Sequence, residues 1–393
     1  GLLLSAQTQA FLPTPLSLVT TGELAPMSNS AVIDETANTA AYPRVQTEML
    51  DGQNAQARQQ SQAEELLANW REQVKTENLA QHTTWRRLLY FFDDQKGLLG
   101  KNKGVSVVDD ANFFLSKNGQ QDSGAELDAM LVALADELTI TAHNTAQTGD
   151  SSSLNSRSQN SNSVLCRFPA RVHWLSETLN ISESDLMADC PEFDEWIEKL
   201  APEQLSIMFA QEYLDNPTSA FAHTLLRIDS KASAADPSQI HHAYALNYTV
   251  GGDPADSFVV YAIKSMIGSY DNAIEIDPYP EKLAKYLQDD ERDAWTYQLD
   301  LSPSEGQQIM RHVWETKGLE MPYYFATDNC ASEILRLIDV VRPQQHLLSQ
   351  LPYVVIPSDV VQLLDNEGLL ARTNYTPADS TLRQAQLNAV KQQ

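Results

Sequence analysis

SAFAHTLLRIDSKASAADPSQIHHAYALNYTV, residues 219–250, is the stretch on which the reading of the fold turns. Its two ends, SAFAHTLLRI and HHAYALNYTV, carry a period of two, and KASAADPSQ between them is polar. That pattern predicts two strands of an antiparallel hairpin. WTYQLDL (295–301) alternates in the same way and predicts a further strand. PYYFA (322–326) predicts a short one that delivers the chain to Asp328, Asn329 and Cys330. Between them SPSEGQQIMRHVWETKG (302–318) predicts a helix, with Ser302-Pro303 at its start and Gly318 at its stop. Just upstream, Pro202 to Leu214 is expected to be helical and to end at the Asn216-Pro217 turn.

The first half has a different period. Leu66, Leu67, Trp70 and Val74 recur at helical spacing, as do Trp85, Leu88, Leu89 and Phe92, and then Leu127, Met130, Leu131, Leu134 and Leu138. The expected class is therefore α+β, a mostly helical N-terminal region followed by an antiparallel sheet with helices. The boundaries implied are an unstructured 1–55, a helical 56–200 with a flexible polar insert at 145–163, a sheet-bearing 201–365 and a polar tail at 366–393.

Charge narrows the partners. The chain of 393 residues has 27 basic and 53 acidic side chains, a net −26. Such a field repels phosphate backbones and anionic surfaces, so nucleic acid is excluded as a partner, whereas single lipid molecules can still bind through their tails. No stretch offers the ~20 uninterrupted apolar residues of a membrane span. Leu2, Leu3 and Leu4 followed by small and polar residues up to Ala10 read either as the tail of a secretory signal peptide or as a disordered end. Export fits three cysteines as one disulfide and one free thiol. Cys166 and Cys190 are close in sequence and far from Cys330, so they are the expected pair.

Cys330 opens a helix whose apolar positions are Ile334, Leu337, Ile338 and Val341, which puts it at the N-terminal edge of the buried face. Unpaired N–H groups and the positive dipole end both favour a thiolate there. The same N–H groups, shaped by the turn residues Asp328 and Asn329, suit an oxyanion. Inert packing is the alternative reading of a cysteine so placed. A nucleophile needs a base, and His223, flanked by apolar residues in its strand, is the best placed of the eight histidines. The next strand supplies Asn247 to orient the ring, with Tyr248 and Tyr244 as alternatives. No G-x-S-x-G, P-loop or G-x-G-x-x-G occurs. His241-His242, and His312 with Glu315, lack a third convergent ligand, and Asp253 with Asp256 reads as an acidic loop. No metal or cofactor is expected. Arg292 and Asp293, just ahead of the WTYQL strand, read as a structural ion pair.

CRFPARVHWL, DNPTSAFAHTLLRID, YALNYTV, ERDAWTYQLDL, HVWE, PYYFATDNCASEIL and VIPSDVV follow one another in that order. Together they resemble the Lnb periplasmic domain family, named for the Bacteroides-type lipoprotein N-acyltransferases, over about residues 80 to 365. That family is similar to circularly permuted papain-like enzymes of the NlpC type, the group of the lecithin:retinol acyltransferases. There histidine lies on one strand, a polar partner on the next, and cysteine opens a later helix. Asn329-Cys330 resembles the cysteine motif of the retinol acyltransferases.

The resemblance implies a periplasmic thiol acyltransferase or acyl hydrolase acting on phospholipid or lipoprotein. Cys330 would be the nucleophile and His223 the base, with access to lipid through a hydrophobic lip or a membrane-associated partner. A cell-wall peptide amidase of NlpC type and a non-catalytic envelope scaffold are the competing expectations.

Overall fold

The computed structural model describes residues 42–92, 104–148, 163–182, 186, 188–211, 223–250, 257, 260, 263–264, 268–319, 321–324, 326–352 and 354–392. The chain divides into units 1–54 and 55–393, and the second holds the hydrophobic cores, the sheet and all three cysteines. Helix α1 (Tyr42–Thr76) begins ahead of the expected end of the unstructured segment. The signal-like start, most of the polar insert, Asp253 and Asp256 lie outside the described residues.

The helical region is built from α1, α2 (Thr83–Leu88), α3 (Ser123–Thr148), α4 (Pro169–Leu179) and α5 (Pro191–Leu200). The residues that carried the helical period make its core. Trp70, Trp85, Leu88, Leu127, Met130, Leu131 and Leu134 pack with Phe168 and Leu175. Each such side chain, fully buried, stabilises the fold by about 1.5–3 kcal/mol. The expected Cys166–Cys190 disulfide is present, with Cα atoms 5.3 Å apart, and it ties the chain ahead of α4 to the start of α5.

The sheet has seven strands among the described residues. They are β1 (Gln204–Ala210), β2 (His223–Asp229), β3 (Ala243–Val250), β4 (Tyr270–Pro278), β5 (Ala294–Leu299), the two-residue β6 (Pro322–Tyr323) and β7 (Leu370–Thr376). Their order across the sheet is β6-β4-β3-β2-β1-β5-β7, and each neighbouring pair is antiparallel. The segment expected to be a helix from Pro202 is therefore strand β1. It lies between two neighbours with both faces covered, so Leu205, Ile207, Met208 and Phe209 form an apolar run without alternation, which by itself does not separate strand from helix. The expected polar tail is also corrected. Residues 370–376 pair with β5 as an edge strand, polar because most of its side chains are exposed, and α10 follows (Asp379–Lys391).

The longer helices of this half are α6 (Tyr279–Ala284), α7 (Pro303–Thr316), α8 (Cys330–Val341) and α9 (Pro357–Asn366), ahead of α10. Ser302 and Glu305 cap α7 reciprocally, which satisfies two end N–H groups and fixes where it starts. One sheet face, with Leu205, Ile207, Leu226, Ile228, Leu246 and Tyr248, packs on Ile309 and Val313 of α7 and on Ile334 and Ile338 of α8. The other face carries smaller side chains, Ala210, Ala243, Ala245 and Ala294, together with Met208 and Leu225 under Tyr279 and Tyr286. The N-terminus of α8 and the first residue of β2 meet at one end of this sandwich.

Candidate active site

Helix α8 starts at Cys330 because Asn329 caps it. Asn329 Oδ1 accepts from the N–H groups of Ala331 (3.1 Å) and Ser332 (3.3 Å), and Ser332 Oγ accepts from the Asn329 N–H (2.9 Å). The side chain also donates through Nδ2 to the Val355 carbonyl, 2.8 Å away. These bonds do not engage Cys330's own N–H. Behind the turn, Arg336 forms buried ion pairs with Asp328 and Glu333. Thr327 donates to Asp328 at 2.7 Å. Both turn residues are thus occupied in shaping the turn.

Cys330 is buried, at 7% residue exposure, so little solvent reaches it. Sγ lies 3.5 Å from His223 Nδ1 and accepts from Thr224 Oγ1 at 3.4 Å. On the far side of the imidazole, Nε2 is 2.6 Å from Asn247 Oδ1. An amide oxygen only accepts, so that bond puts the hydrogen of the neutral ring on Nε2 and leaves the Nδ1 lone pair facing the thiol. Register explains the meeting of His223 with Asn247. Leu226 pairs with Leu246 between β2 and β3, which sets His223 diagonal to Asn247 and within side-chain reach. Asn247 is 5% exposed, so little solvent competes for its oxygen.

Electrostatics favour proton transfer within the pair. Burial pushes the thiol up, but the adjacent His223 charge and the bonds from His223 and Thr224 outweigh it and bring Cys330 down to about 7. Burial works against a charged imidazole, yet Cys330, its hydrogen bond and the bond to Asn247 together raise His223 above its ordinary value, against a smaller opposing push from Arg292. A thiolate and an imidazolium are each favoured by the other. The α8 dipole acts in the same direction.

The structure thus brings Cys330, His223 and Asn247 together. It does not bring Tyr248, which lies on the opposite sheet face beside Tyr90, with its hydroxyl buried and without a hydrogen-bond partner among the described residues. Two residues near the site escape the sequence reading. Thr224 is a buried hydroxyl on the face that otherwise presents Leu226 and Ile228, and its position directly after His223 is the available signal. Tyr286 packs over His223 with ring centroids 6.2 Å apart, and no local pattern announces that contact. The ion pair expected between Arg292 and Asp293 is corrected. Arg292 donates to the carbonyls of Ala210 and Gln211 and lies over the Tyr286 ring, while Asp293 accepts from Tyr375, Ala378 and Thr381.

His312 and Glu315 are absorbed elsewhere. His312 stacks on Tyr90, and Glu315 accepts from the N–H groups of Ala170 and Arg171 at the start of α4. Among the described residues no three His, Cys, Asp or Glu side chains converge on a point where a metal ion would sit. No helix among them is long and apolar enough to cross a membrane.

Comparison with known proteins gives two family matches. Residues 77–178, most of the helical region, match a domain of unknown function, DUF7843. Neither a curated protein nor a solved structure gives a match. The second family match runs from α5 to the end of α9, includes Cys330, His223 and Asn247, and has a periplasmic setting in its description. That match, over residues 192–367, is to the Lnb N-terminal periplasmic domain family.

Proposed function

We propose that the protein is a periplasmic thiol acyltransferase that takes an acyl group from phospholipid onto Cys330 and passes it to an amine, such as a lipoprotein N-terminus, or to water. The observation that carries this reading is the line Cys330 Sγ, His223 Nδ1, His223 Nε2, Asn247 Oδ1, with contacts of 3.5 and 2.6 Å. The family match adds the lipoprotein context. The catalytic arrangement proposed is that of a permuted papain-like enzyme, with the helical segment 56–200 supporting a thiol domain at 201–365.

In the first half-reaction His223 Nδ1 takes the Cys330 proton and Sγ attacks the ester carbonyl. The oxyanion is stabilised by the Cys330 N–H and the α8 dipole. Collapse breaks the ester C–O bond, and the imidazolium returns its proton to the leaving alcohol, which leaves a lysolipid and a Cys330 thioester. In the second half-reaction Nδ1 takes a proton from the incoming amine or water as it attacks the thioester. An amide or a free acid departs, and that proton restores the thiol. Asn247 keeps the ring aimed throughout.

The test incubates the purified chain with phospholipid carrying a labelled acyl chain and reads intact mass. A labelled, hydroxylamine-labile adduct on Cys330, absent in Cys330→Ala and strongly reduced in His223→Ala, is the expected result. Release of cell-wall peptides with no acyl adduct would replace this reading with the amidase. Ordinary thiol reactivity with neither activity would leave a scaffold.

A further inference from the structure

Arg292, from the ERDAWTYQLDL stretch, has no part in the proposed reaction. It is 3% exposed, and its surroundings differ from those of every other buried arginine among the described residues. Arg87 faces Asp339 at 4.0 Å, Arg171 lies between Glu126 and Glu315, and Arg336 pairs with Asp328 and Glu333. Arg292 has no carboxylate within ion-pair reach among the described residues. Its Nε donates to the Gln211 carbonyl and its Nη2 to the Ala210 carbonyl at 3.1 Å, while Nη1 makes no hydrogen bond among the described residues. The local chain fixes this pose. Lys285–Asp289 form a π-helical turn, Glu291 then takes a left-handed φ of 51°, and the Arg292 N–H returns to the Tyr286 carbonyl at 2.8 Å. The guanidinium comes to rest 5.3 Å from the Tyr286 ring centroid, and that ring packs over His223. Ala210, whose carbonyl Arg292 holds, is paired directly with His223 across β1 and β2. A cation without a counter-ion is thereby built in beside the thiol pair.

We infer that Arg292 is a specificity-determining residue of the thiol site, the cation that receives an anionic group of the substrate. The inference deepens the acyl-transfer reading and rests on it for the identity of that group, the phosphodiester of the phospholipid donor. A buried charge without a counter-ion is unfavourable, and a ligand of opposite sign supplies what is missing. The carbonyls of Ala210 and Gln211 orient the guanidinium but carry no net charge, so its positive field stays unneutralised. Burial holds Arg292 below its ordinary value, and Tyr286 and Asp290 offset that only in part. The same charge opposes an imidazolium on His223, against the tendency of the rest of the site. An anion bound at Arg292 lifts both penalties together. In a chain of net −26 an anionic substrate is otherwise repelled, so a local cation decides whether it can approach. A guanidinium matches the oxygens of a phosphodiester through paired N–H donors. In a glycerophospholipid that phosphate is a few covalent bonds from the acyl ester, which suits a cation held on the strand residue opposite the base.

The experiment uses the full chain and compares wild type with Arg292→Gln, whose amide can still donate to one strand carbonyl, and with Arg292→Lys, which keeps the charge. Cys330 is alkylated at one pH by neutral iodoacetamide and by anionic iodoacetate. The ratio of the two rates cancels changes in thiolate fraction or packing that affect both reagents alike. The iodoacetate preference is expected to fall by about fivefold in Arg292→Gln and to be largely restored in Arg292→Lys. The kcat/KM for a short-chain phosphatidylcholine, relative to that for a neutral diacylglycerol of the same chains, is expected to fall by about tenfold or more in Arg292→Gln, as for the loss of one charge-assisted bond. In wild type alone, glycerophosphocholine is expected to protect Cys330 from iodoacetamide where glycerol does not, which keeps the test open if a variant fails to fold. An unchanged reagent ratio, or no protection by glycerophosphocholine, overturns the inference and leaves Arg292 as a structural tie between β1 and the start of β5. Equal losses on both lipids also overturn it, since a merely structural role weakens both alike. Protection by inorganic phosphate but not by glycerophosphocholine overturns the lipid phosphodiester in favour of a free anion. If wild type turns over neither lipid while the reagent ratio still falls, the acyl reading fails and the anion site stands.

Discussion

Arg171 and Cys330 are both buried and both held by polar partners, yet the two clusters are built on opposite principles. Arg171 is fully enclosed, with Glu126 at 3.0 Å and Glu315 at 3.1 Å, and its guanidinium lies over the rings of Phe113 and Phe168. The two acids are themselves fixed by backbone N–H groups, of Leu115 and Ser116 for Glu126 and of Ala170 and Arg171 for Glu315. There one cation is held between two acids by fixed ion pairs. At Cys330 the charge is conditional, because one proton can sit on Sγ or on His223 Nδ1. Thr224 and Asn247 accommodate either arrangement. A closed ion cluster fixes α3, α4 and α7 against one another. An open proton pair leaves chemistry available.

The sharpest way to break the comparison is to remove the proton's two seats. Cys330→Ala is expected to abolish acyl transfer and His223→Ala to lower it by about 10²–10⁴, with the fold unchanged by circular dichroism. The pH dependence follows from the directions of the shifts. A thiol lowered to about 7 ionises below the ~8.5 of a free cysteine, so alkylation of wild type is expected to rise with a midpoint near 7. In His223→Ala the burial remains and the imidazolium is gone, so the midpoint moves above ~8.5. Stopped-flow alkylation across pH measures both. An unshifted wild-type midpoint would place Cys330 with the inert clusters.

The reverse manipulation sharpens the contrast. Arg171→Met leaves Glu126 and Glu315 buried without their cation and is expected to destabilise the fold by about 3–5 kcal/mol in urea unfolding. The thiol midpoint in the folded protein is expected to stay near 7, since nothing in that cluster touches His223. A smaller structural loss, about 2–4 kcal/mol, is expected for Cys166→Ala/Cys190→Ala, because that bridge joins residues 24 apart in sequence. Unfolding curves of the reduced wild type provide the control.

How much of this was legible depends on the range of the interaction concerned. The helical period found the core of α1 to α3 because those side chains sit on one stripe of their own helix, as Leu127, Met130 and Leu134 do. Period two found β2, β3 and β5. It failed at β1, where consecutive Ile207, Met208 and Phe209 leave no alternation, and at β7, whose exposed faces leave too few apolar side chains to mark a strand. Cys330 was readable from local features, a polar turn followed by an apolar stripe. Asn247 and Tyr248 could not be separated locally, because a register slip of one residue exchanges the faces on which they lie, and only the pairing of Leu226 with Leu246 settles it. Tyr286 meets His223 across segments far apart in the chain, and no periodicity within either segment encodes the meeting.

Asn247 is where the smallest effect carries the finest distinction. If the thiol pair is open, its ring needs an outside partner to hold the tautomer with Nδ1 toward Sγ. Asn247→Ala removes that partner at a typical hydrogen-bond value of about 1 kcal/mol, so activity is expected to fall by somewhat under tenfold. The bond to Asn247 helps to raise His223, so its loss lowers the imidazole and weakens the charge that holds the thiolate. The alkylation midpoint therefore moves upward, in the direction of His223→Ala but by much less. Asn247→Asp reverses the sign at the ring, since a carboxylate at Nε2 favours the imidazolium and raises His223 further. Ring titration by NMR, with His223 assigned by its loss in His223→Ala, reads both shifts directly. Opposite displacements in the two variants make Asn247 the group that sets the proton's balance. No displacement in either would mean that the packing of Tyr286 and the bond to Cys330 alone orient the ring, and the pair would then be as self-contained as the cluster around Arg171.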